Sequence, residues 1–348
     1  MTDVFSIKSA DIQRPARVGM NFLRQVPSLS ILLMTAAIFL FSAIFARGSV
    51  DVVSLRSMIP FASVLAIAGV GQSMVIQQRG IDLSGAGVIS LSAIIVSVYP
   101  NGSSSRLGAA LLISLIAAVV VGLINGGLVQ LGLVPIIVTL ATYELLAGVV
   151  QSYSHGIAQY VPNTLTNFST GSVGGVPNPL IVAAVLVAVM TIFLRLTVVG
   201  RRFVDAGINR SAALAQGTRV SAHIIGSYLV SSMCYWLAGV VLAGYLVSPT
   251  TSIGDAYLLS PIAVVVLAGN SFGMTKVSVV GSALGALFYT QLIQFTLSLG
   301  AGASSQLYIQ GLGIMALPVV RWAVASLRRV SLARRLTRVA SVNSGIVL

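Results

Sequence analysis

Apolar residues run through this chain in ten stretches of near-bilayer length, separated by short polar gaps. A helix of about 20 such residues crosses the roughly 30 Å hydrocarbon core of a membrane. The stretches cover 29–46, 57–76, 83–99, 107–131, 135–153, 179–196, 221–246, 258–270, 277–299 and 306–326. Two of them, 83–99 and 258–270, are short and interrupted by glycine, the pattern of re-entrant or broken helices that line a cavity. The pattern predicts an all-α fold, a polytopic transmembrane bundle of about ten spans. A basic N-terminal segment at 1–28, a membrane domain at 29–326 and a basic tail at 327–348 complete the layout.

Charge then sets the direction of the helices. Lys and Arg collect on the cytoplasmic side of membrane proteins. With a cytoplasmic N-terminus, ten crossings return the C-terminus to the cytoplasm, and 17 of the 20 basic residues fall inside. Only Arg47, Arg56 and Arg106 fall outside. Removing either weak span would invert everything after it and destroy the bias, so the charge distribution supports the span count. Only 8% of the 348 residues are charged, too few for a soluble protein surface. The net charge of +13 sits at helix ends and tails, with no basic soluble domain to offer nucleic acid. The lone Cys234 rules out a disulfide framework. No phosphate-binding Gly-x-x-x-x-Gly-Lys-Ser/Thr run and no His-Glu-x-x-His occurs, so neither an ATPase nor a zinc protease is encoded here. The first apolar run lacks a small-residue cleavage site after it and reads as a retained helix.

A few polar residues stand out against this background. In Gly80-Ile81-Asp82-Leu83-Ser84, Asp82 is placed to cap the next helix by accepting an amide N–H of Ser84 or Gly85, with Arg79 as its ion partner. Glu144 lies mid-span, with Gln151 on the same face and Thr139 and Thr142 on the same helix. Gln291 and Gln294 share a helix face, and Asn125 sits between Gly122 and Gly126. Such amides and hydroxyls suit either contacts between helices or a pathway for a hydroxyl-rich solute. Gly122/Gly126 and Gly281/Gly285 each form a Gly-x-x-x-Gly, which allows close helix packing. The inside loop 197–220 is the most structured polar segment. Asn209 can cap a short helix that Gly217 ends, and its mixed polar surface suits a soluble partner.

With these residues, the chain resembles permease subunits of bacterial ABC importers of the ribose/xylose/arabinose/galactose class, which also includes autoinducer-2 permeases. The similarity covers roughly 30–325. Gly80-Ile81-Asp82-Leu83-Ser84 carries it first. Gly122-Leu123-Ile124-Asn125-Gly126 follows, with Val134-Pro135 and Val138-Thr139-Leu140-Ala141-Thr142. Gly200-Arg201-Arg202 with Gly207-Ile208-Asn209 and Ala212-Ala213 resembles the cytoplasmic coupling segment. Val264-Val265-Val266-Leu267-Ala268-Gly269-Asn270-Ser271 with Gly281-Ser282-Ala283-Leu284-Gly285-Ala286 comes last. The chain departs from the family pattern at Arg79, Gly85, Ala147 and Glu144 and in the turn Gly273-Met274-Thr275-Lys276.

The resemblance implies an inner-membrane permease that pairs with a second permease subunit, identical or not, around a central pathway. A periplasmic solute-binding protein would deliver a monosaccharide or polyol. A separate cytoplasmic ATP-binding subunit would hold the ATP and Mg, since no cofactor is expected on this chain. Arg201, Arg202, Asp205, Asn209, Arg210 and Gly217 are then the expected coupling residues, and Asn125, Thr139, Glu144, Gln291 and Gln294 the pathway candidates. Gly80, Asp82, Ser84, Gly122, Gly126, Gly281 and Gly285 form the structural signature. An ion-driven secondary carrier using Glu144 is the alternative from another class. Permeases for nucleosides or branched-chain amino acids are the alternatives within this one.

Overall fold

The computed structural model describes residues 27–269 and 277–300, with isolated positions at 302, 308, 311 and 315. The terminal segments 1–26 and 316–348 lie outside the described residues, as does most of the 306–326 stretch. Long helices account for most of the rest. They are α1 (Pro27–Phe45), α2 (Val52–Gln77), α3 (Gly85–Val98), α4 (Leu107–Gln130) and α5 (Pro135–Ser154). A short α6 (Asn163–Thr170) and a two-stranded hairpin, β1 (Ser172–Val173) and β2 (Val176–Pro177), precede α7 (Asn178–Leu196). Then come α8 (Val198–Ile208), α9 (Arg210–Ala215), α10 (Val220–Leu246), α11 (Ser260–Leu267) and α12 (Val279–Ser298). Six of these elements are long and apolar enough to cross a membrane, beside shorter apolar helices at α1, α3 and α11.

The centre of the bundle is α2. Of its most apolar stretch 89% is buried, against 17% for α5. It packs on α10, α12, α7 and α11, while α10 also carries α3 and α4. Large apolar side chains such as Ile116, Val120, Ile137, Leu145, Val189 and Ile192 point outward from α4, α5 and α7. In water such a surface would aggregate, whereas in a bilayer it meets lipid or another subunit. Glycines set the closest approaches. A Cβ on Gly122 or Gly126 would stand 2.8 Å from the α10 backbone at Leu229 or Ile225, and one on Gly285 would stand 2.7 Å from the Val264 carbonyl of α11. Both Gly-x-x-x-Gly motifs therefore act as packing seams. Cys234 is buried on α10, where it faces Gly71.

Polar contacts tie the helix ends together in two groups. At one end Gln130 bonds Ser221, and the Val277 N–H meets Gln77 Oε1 at 2.8 Å. Arg79, Arg195, Arg201, Arg202, Arg210 and Arg219 belong to this end. At the other, the Val161 N–H donates to the Val247 carbonyl, and Gln291 reaches Ser49.

Both weak spans hold short helices flanked by irregular backbone. Helix α3 has 14 residues and α11 has 8, which gives lengths of about 21 and 12 Å, short of the core thickness. The non-helical turn 78–84 leads from α2 into α3. The segment 247–259, irregular but for a 3-10 turn at Asp255–Tyr257, leads into α11 and reaches halfway along α3, where the Gly254 N–H donates to Ser90 Oγ at 2.9 Å. Gly254 lies so close to the Ala86 carbonyl that no larger residue fits. Irregular backbone at this depth survives because protein buries it and supplies its hydrogen bonds.

Candidate functional site

The end of α2 and the inside loop form one joint. Helix α2 closes in a Schellman arrangement: the Gly80 N–H donates to the Val75 carbonyl and the Arg79 N–H to the Ile76 carbonyl, both at 3.0 Å. Arg79 occupies the left-handed position at φ 66°, where glycine is usual. Its side chain offsets that strain. Nε donates to the Gly207 carbonyl at 2.9 Å and Nη2 to the Ile208 carbonyl at 2.5 Å, which places a cation on the C-terminus of α8. Arg79 is thus not the ion partner of Asp82 that the sequence suggests, because the turn aims it at the loop instead.

Its neighbours complete the clamp. Gln78 Nε2 donates to the Phe203 carbonyl at 2.7 Å and Gln77 Nε2 to the Val204 carbonyl at 3.3 Å. Arg210 returns a bond from the loop to the Gln78 carbonyl at 2.8 Å. Gly207 packs directly on the Gln77 carbonyl with no room for a side chain.

The loop itself is two helices rather than one. Thr197 caps α8 by accepting the Gly200 N–H at 2.9 Å. Asn209 caps α9 by accepting the Ala212 N–H at 3.0 Å, and Gly217 follows with φ 75°. Asp205 lies within α8 rather than in a loop. Phe203, Val204, Ala206 and Ala213 turn inward, while Arg201, Arg202, Asp205, Asn209, Arg210 and Gly217 are exposed. The result is a charged outer surface on a base locked to the central helix.

A second set of polar residues runs behind the 80–84 turn. Thr142 Oγ1 donates to Asn125 Oδ1 at 2.7 Å, Asn125 Nδ2 donates to Ser84 Oγ at 2.9 Å, and Ser84 Oγ donates to Asp82 Oδ1 at 2.6 Å. The Ser84 N–H also meets Asp82 Oδ1 at 3.0 Å, the bond expected from the sequence, but Ser84 and not Asp82 occupies the N-cap of α3, so Asp82 braces the turn before the helix and does not cap it. Thr139 Oγ1 accepts the Leu83 N–H at 3.0 Å. Gly80 abuts the Tyr228 hydroxyl. This chain of bonds links α4 and α5 to the start of α3.

Of the pathway candidates, Asn125, Thr139 and Gln291 are fully buried inside the protomer, and Gln294 is half-buried. Glu144 is exposed on α5. It neighbours Tyr143, whose hydroxyl donates to Asp255 Oδ1 at 2.9 Å. Beside the N-terminal end of α2, a groove of about 460 Å³ is lined by Arg56, Ser57, Ser169, Thr170, Ser172 and Tyr245, among others. Sequence reasoning assigns no role to Gln77, Gln78, Tyr228 or Ser231. The run of polar residues at the end of an otherwise apolar α2 is the available signal for the first two.

The family model of the branched-chain amino acid transport system permease component matches residues 54–319. The chain belongs to this permease family. A probable ABC transporter permease of Sinorhizobium fredii is 32% identical over 72% of this chain and 76% of its own length. The ribose import permease of Bacillus subtilis is 30% identical over 70% of this chain and 77% of its own. The autoinducer-2 import permease LsrC of Shigella flexneri is 28% identical over 93% and 96%. No solved structure matches the chain. This permease is accordingly a multi-pass inner-membrane protein, and the matched region contains both the clamp and the polar chain behind it.

Proposed function

We propose that this permease is the membrane subunit of an ATP-driven, binding-protein-dependent importer for a monosaccharide or related polyol. A cytoplasmic ATPase subunit, which carries the ATP and Mg, docks on the exposed surface of α8 and α9. The observation that carries this reading is the clamp: Gln77, Gln78 and Arg79 fix those helices to the most buried helix of the bundle. A loop held this way passes a push from a soluble partner straight to the core. Arg201, Arg202 and Asp205 are its contact residues, and Asn209, Arg210 and Gly217 keep its shape.

The open face of α5 with Glu144, next to the segment around Asp255, faces the pathway and a second permease subunit. A charge at that depth is costly against lipid, so protein or water covers it. A periplasmic solute-binding protein meets the outer side at α6 and the β1–β2 hairpin. The sugar assignment is supported by the ribose and autoinducer-2 relatives, while the family description favours branched-chain amino acids as the second reading.

Purification of the tagged permease from native membranes, followed by mass spectrometry, tests the assignment. A stoichiometric ATPase that is lost in the R201E/R202E double variant is the expected result. A lone permease that transports under an ion gradient would overturn it in favour of a secondary carrier. Uptake assays with ribose and with leucine in the intact complex separate the two substrate readings.

A further inference from the structure

Buried side-chain atoms without partners are rare in folded proteins, and here several gather around one carboxylate. Asp82 is 2% exposed, and its Oδ2 has no hydrogen-bond partner. The hydroxyls of Tyr228, Ser231 and Ser232, all on α10, are likewise buried and unpartnered. Their spacing of three and four residues puts them on adjoining parts of one helix surface, and the 80–84 turn lies across it. Gly80 touches the Tyr228 hydroxyl, Gly85 lies on the Tyr235 ring, and Ser232 faces Gly122 of α4. The Ser231 hydroxyl faces the Asp82 carboxylate without closing a hydrogen bond. Tyr235 roofs the cluster and is itself tied to Gln72 of α2.

The charge balance narrows what such a cluster holds. Asp82 receives two donors from Ser84, both on Oδ1, and no basic side chain pairs with it among the described residues. The two arginines nearby point their guanidinium hydrogen bonds at the carbonyls of Gly207, Ile208 and Gln78, so neither closes an ion pair with Asp82, although Arg210 keeps its positive charge near Tyr228. Water would satisfy the hydroxyls but would leave Asp82 either an unpaired charge in a low-dielectric interior or a neutral acid. A cation satisfies both requirements, since a carboxylate oxygen and three hydroxyl oxygens all act as ligands to it. One negative charge matches one positive charge, whereas a divalent ion would leave a surplus and usually draws more than one carboxylate.

We propose that Asp82, Tyr228, Ser231 and Ser232 form a binding site for a single monovalent cation, which pins the 80–84 turn to α10. The site lies where the clamp on the inside loop passes into the short helix α3. An ion there sets the stiffness of that joint. The inference stands on the buried cluster and is independent of which solute the permease carries.

The test uses the full-length permease, purified with its partners in detergent and choline chloride. Sodium or potassium chloride is exchanged for choline at constant ionic strength while the thermal unfolding midpoint is followed, and radioactive sodium or a potassium analogue is counted on the protein. A saturable rise with one of these ions, near one ion per permease chain, is expected. D82N should fold and lose the response. S232A, which removes one ligand, should need about tenfold more ion for the same response, equivalent to about 1.4 kcal/mol. Should D82N fail to fold, the S231A/S232A double variant reads the same loss. Indifference to both ions, or an unchanged response in D82N or in the serine double variant, would overturn the proposal and leave buried water beside a protonated Asp82.

Discussion

Replacing Arg79 by alanine should loosen the inside loop without unfolding the bundle. The wild-type guanidinium makes two charge-assisted bonds to the last carbonyls of α8, at 2.9 and 2.5 Å. Such a bond contributes about 1.5–3 kcal/mol when buried. Arg79 is exposed, so solvent screening places the pair near the bottom of that range, about 2 kcal/mol together. Alanine keeps the left-handed backbone cost of a non-glycine residue, so that contribution cancels in the comparison. A loss of about 2 kcal/mol raises the local opening constant roughly 30-fold, at 1.4 kcal/mol per decade. Hydrogen exchange read by mass spectrometry on peptides from 198–217 should show that loss of protection, with α2 and α10 unaffected. A lysine in this place supplies a charge but not a planar fork, so R79K should fall between the two. R79G should recover about 1 kcal/mol relative to R79A, because glycine tolerates the φ of 66°. Equal protection of the loop in wild type and R79A would refute the clamp. Full protection in R79K would refute the two-carbonyl geometry and leave only a charge effect.

Other perturbations follow from the same contacts. G126V sets a branched side chain against the α10 backbone at Ile225, and a loss of about 1–3 kcal/mol or more should appear as a lower unfolding midpoint and poorer monodispersity in detergent. N209A removes the α9 cap at a cost of about 1 kcal/mol, so amides of 210–215 should exchange faster, while N209D should retain the cap. G207A forces the loop away from the Gln77 carbonyl and should reduce ATPase copurification while leaving membrane abundance near wild type. N125L leaves Ser84 and Thr142 without a shared partner, and should destabilise the protein by about 1–3 kcal/mol in a thermal assay.

Much of this architecture is legible in the sequence because a membrane imposes one dominant rule. The apolar stretches 107–131, 135–153 and 221–246 match α4, α5 and α10 to within a residue, since hydrophobicity alone decides where such helices lie. Helix α2 begins five residues before its apolar stretch. Asp51 caps it by accepting the Ser54 N–H at 2.6 Å, which carries the helix through Arg56 and Ser57. The short helices α3 and α11 are visible as short, glycine-rich stretches. The outer segment 154–178 reads only as a polar loop, yet it holds α6 and a hairpin, because no long apolar run announces elements of that size. The cap at Asn209 and the stop at Gly217 are local signals and can be read. The clamp cannot, for it joins residues some 125–132 positions apart, and its acceptors are backbone carbonyls that every sequence possesses. The expected Arg79–Asp82 pair fails for a related reason: proximity in sequence says nothing of direction once a turn adopts a positive φ.

The placement of Cys234 has a practical outcome for anyone who wishes to watch this protein work. Its thiol is sealed between α10 and α2, where Gly71 leaves no gap for an aqueous maleimide or methanethiosulfonate reagent to enter. The native chain therefore serves directly as a silent background for site-directed labelling. Spin labels or fluorophores introduced at the exposed Leu131 and Tyr153 would report on the two ends of the bundle during turnover, with no need to engineer the natural cysteine away.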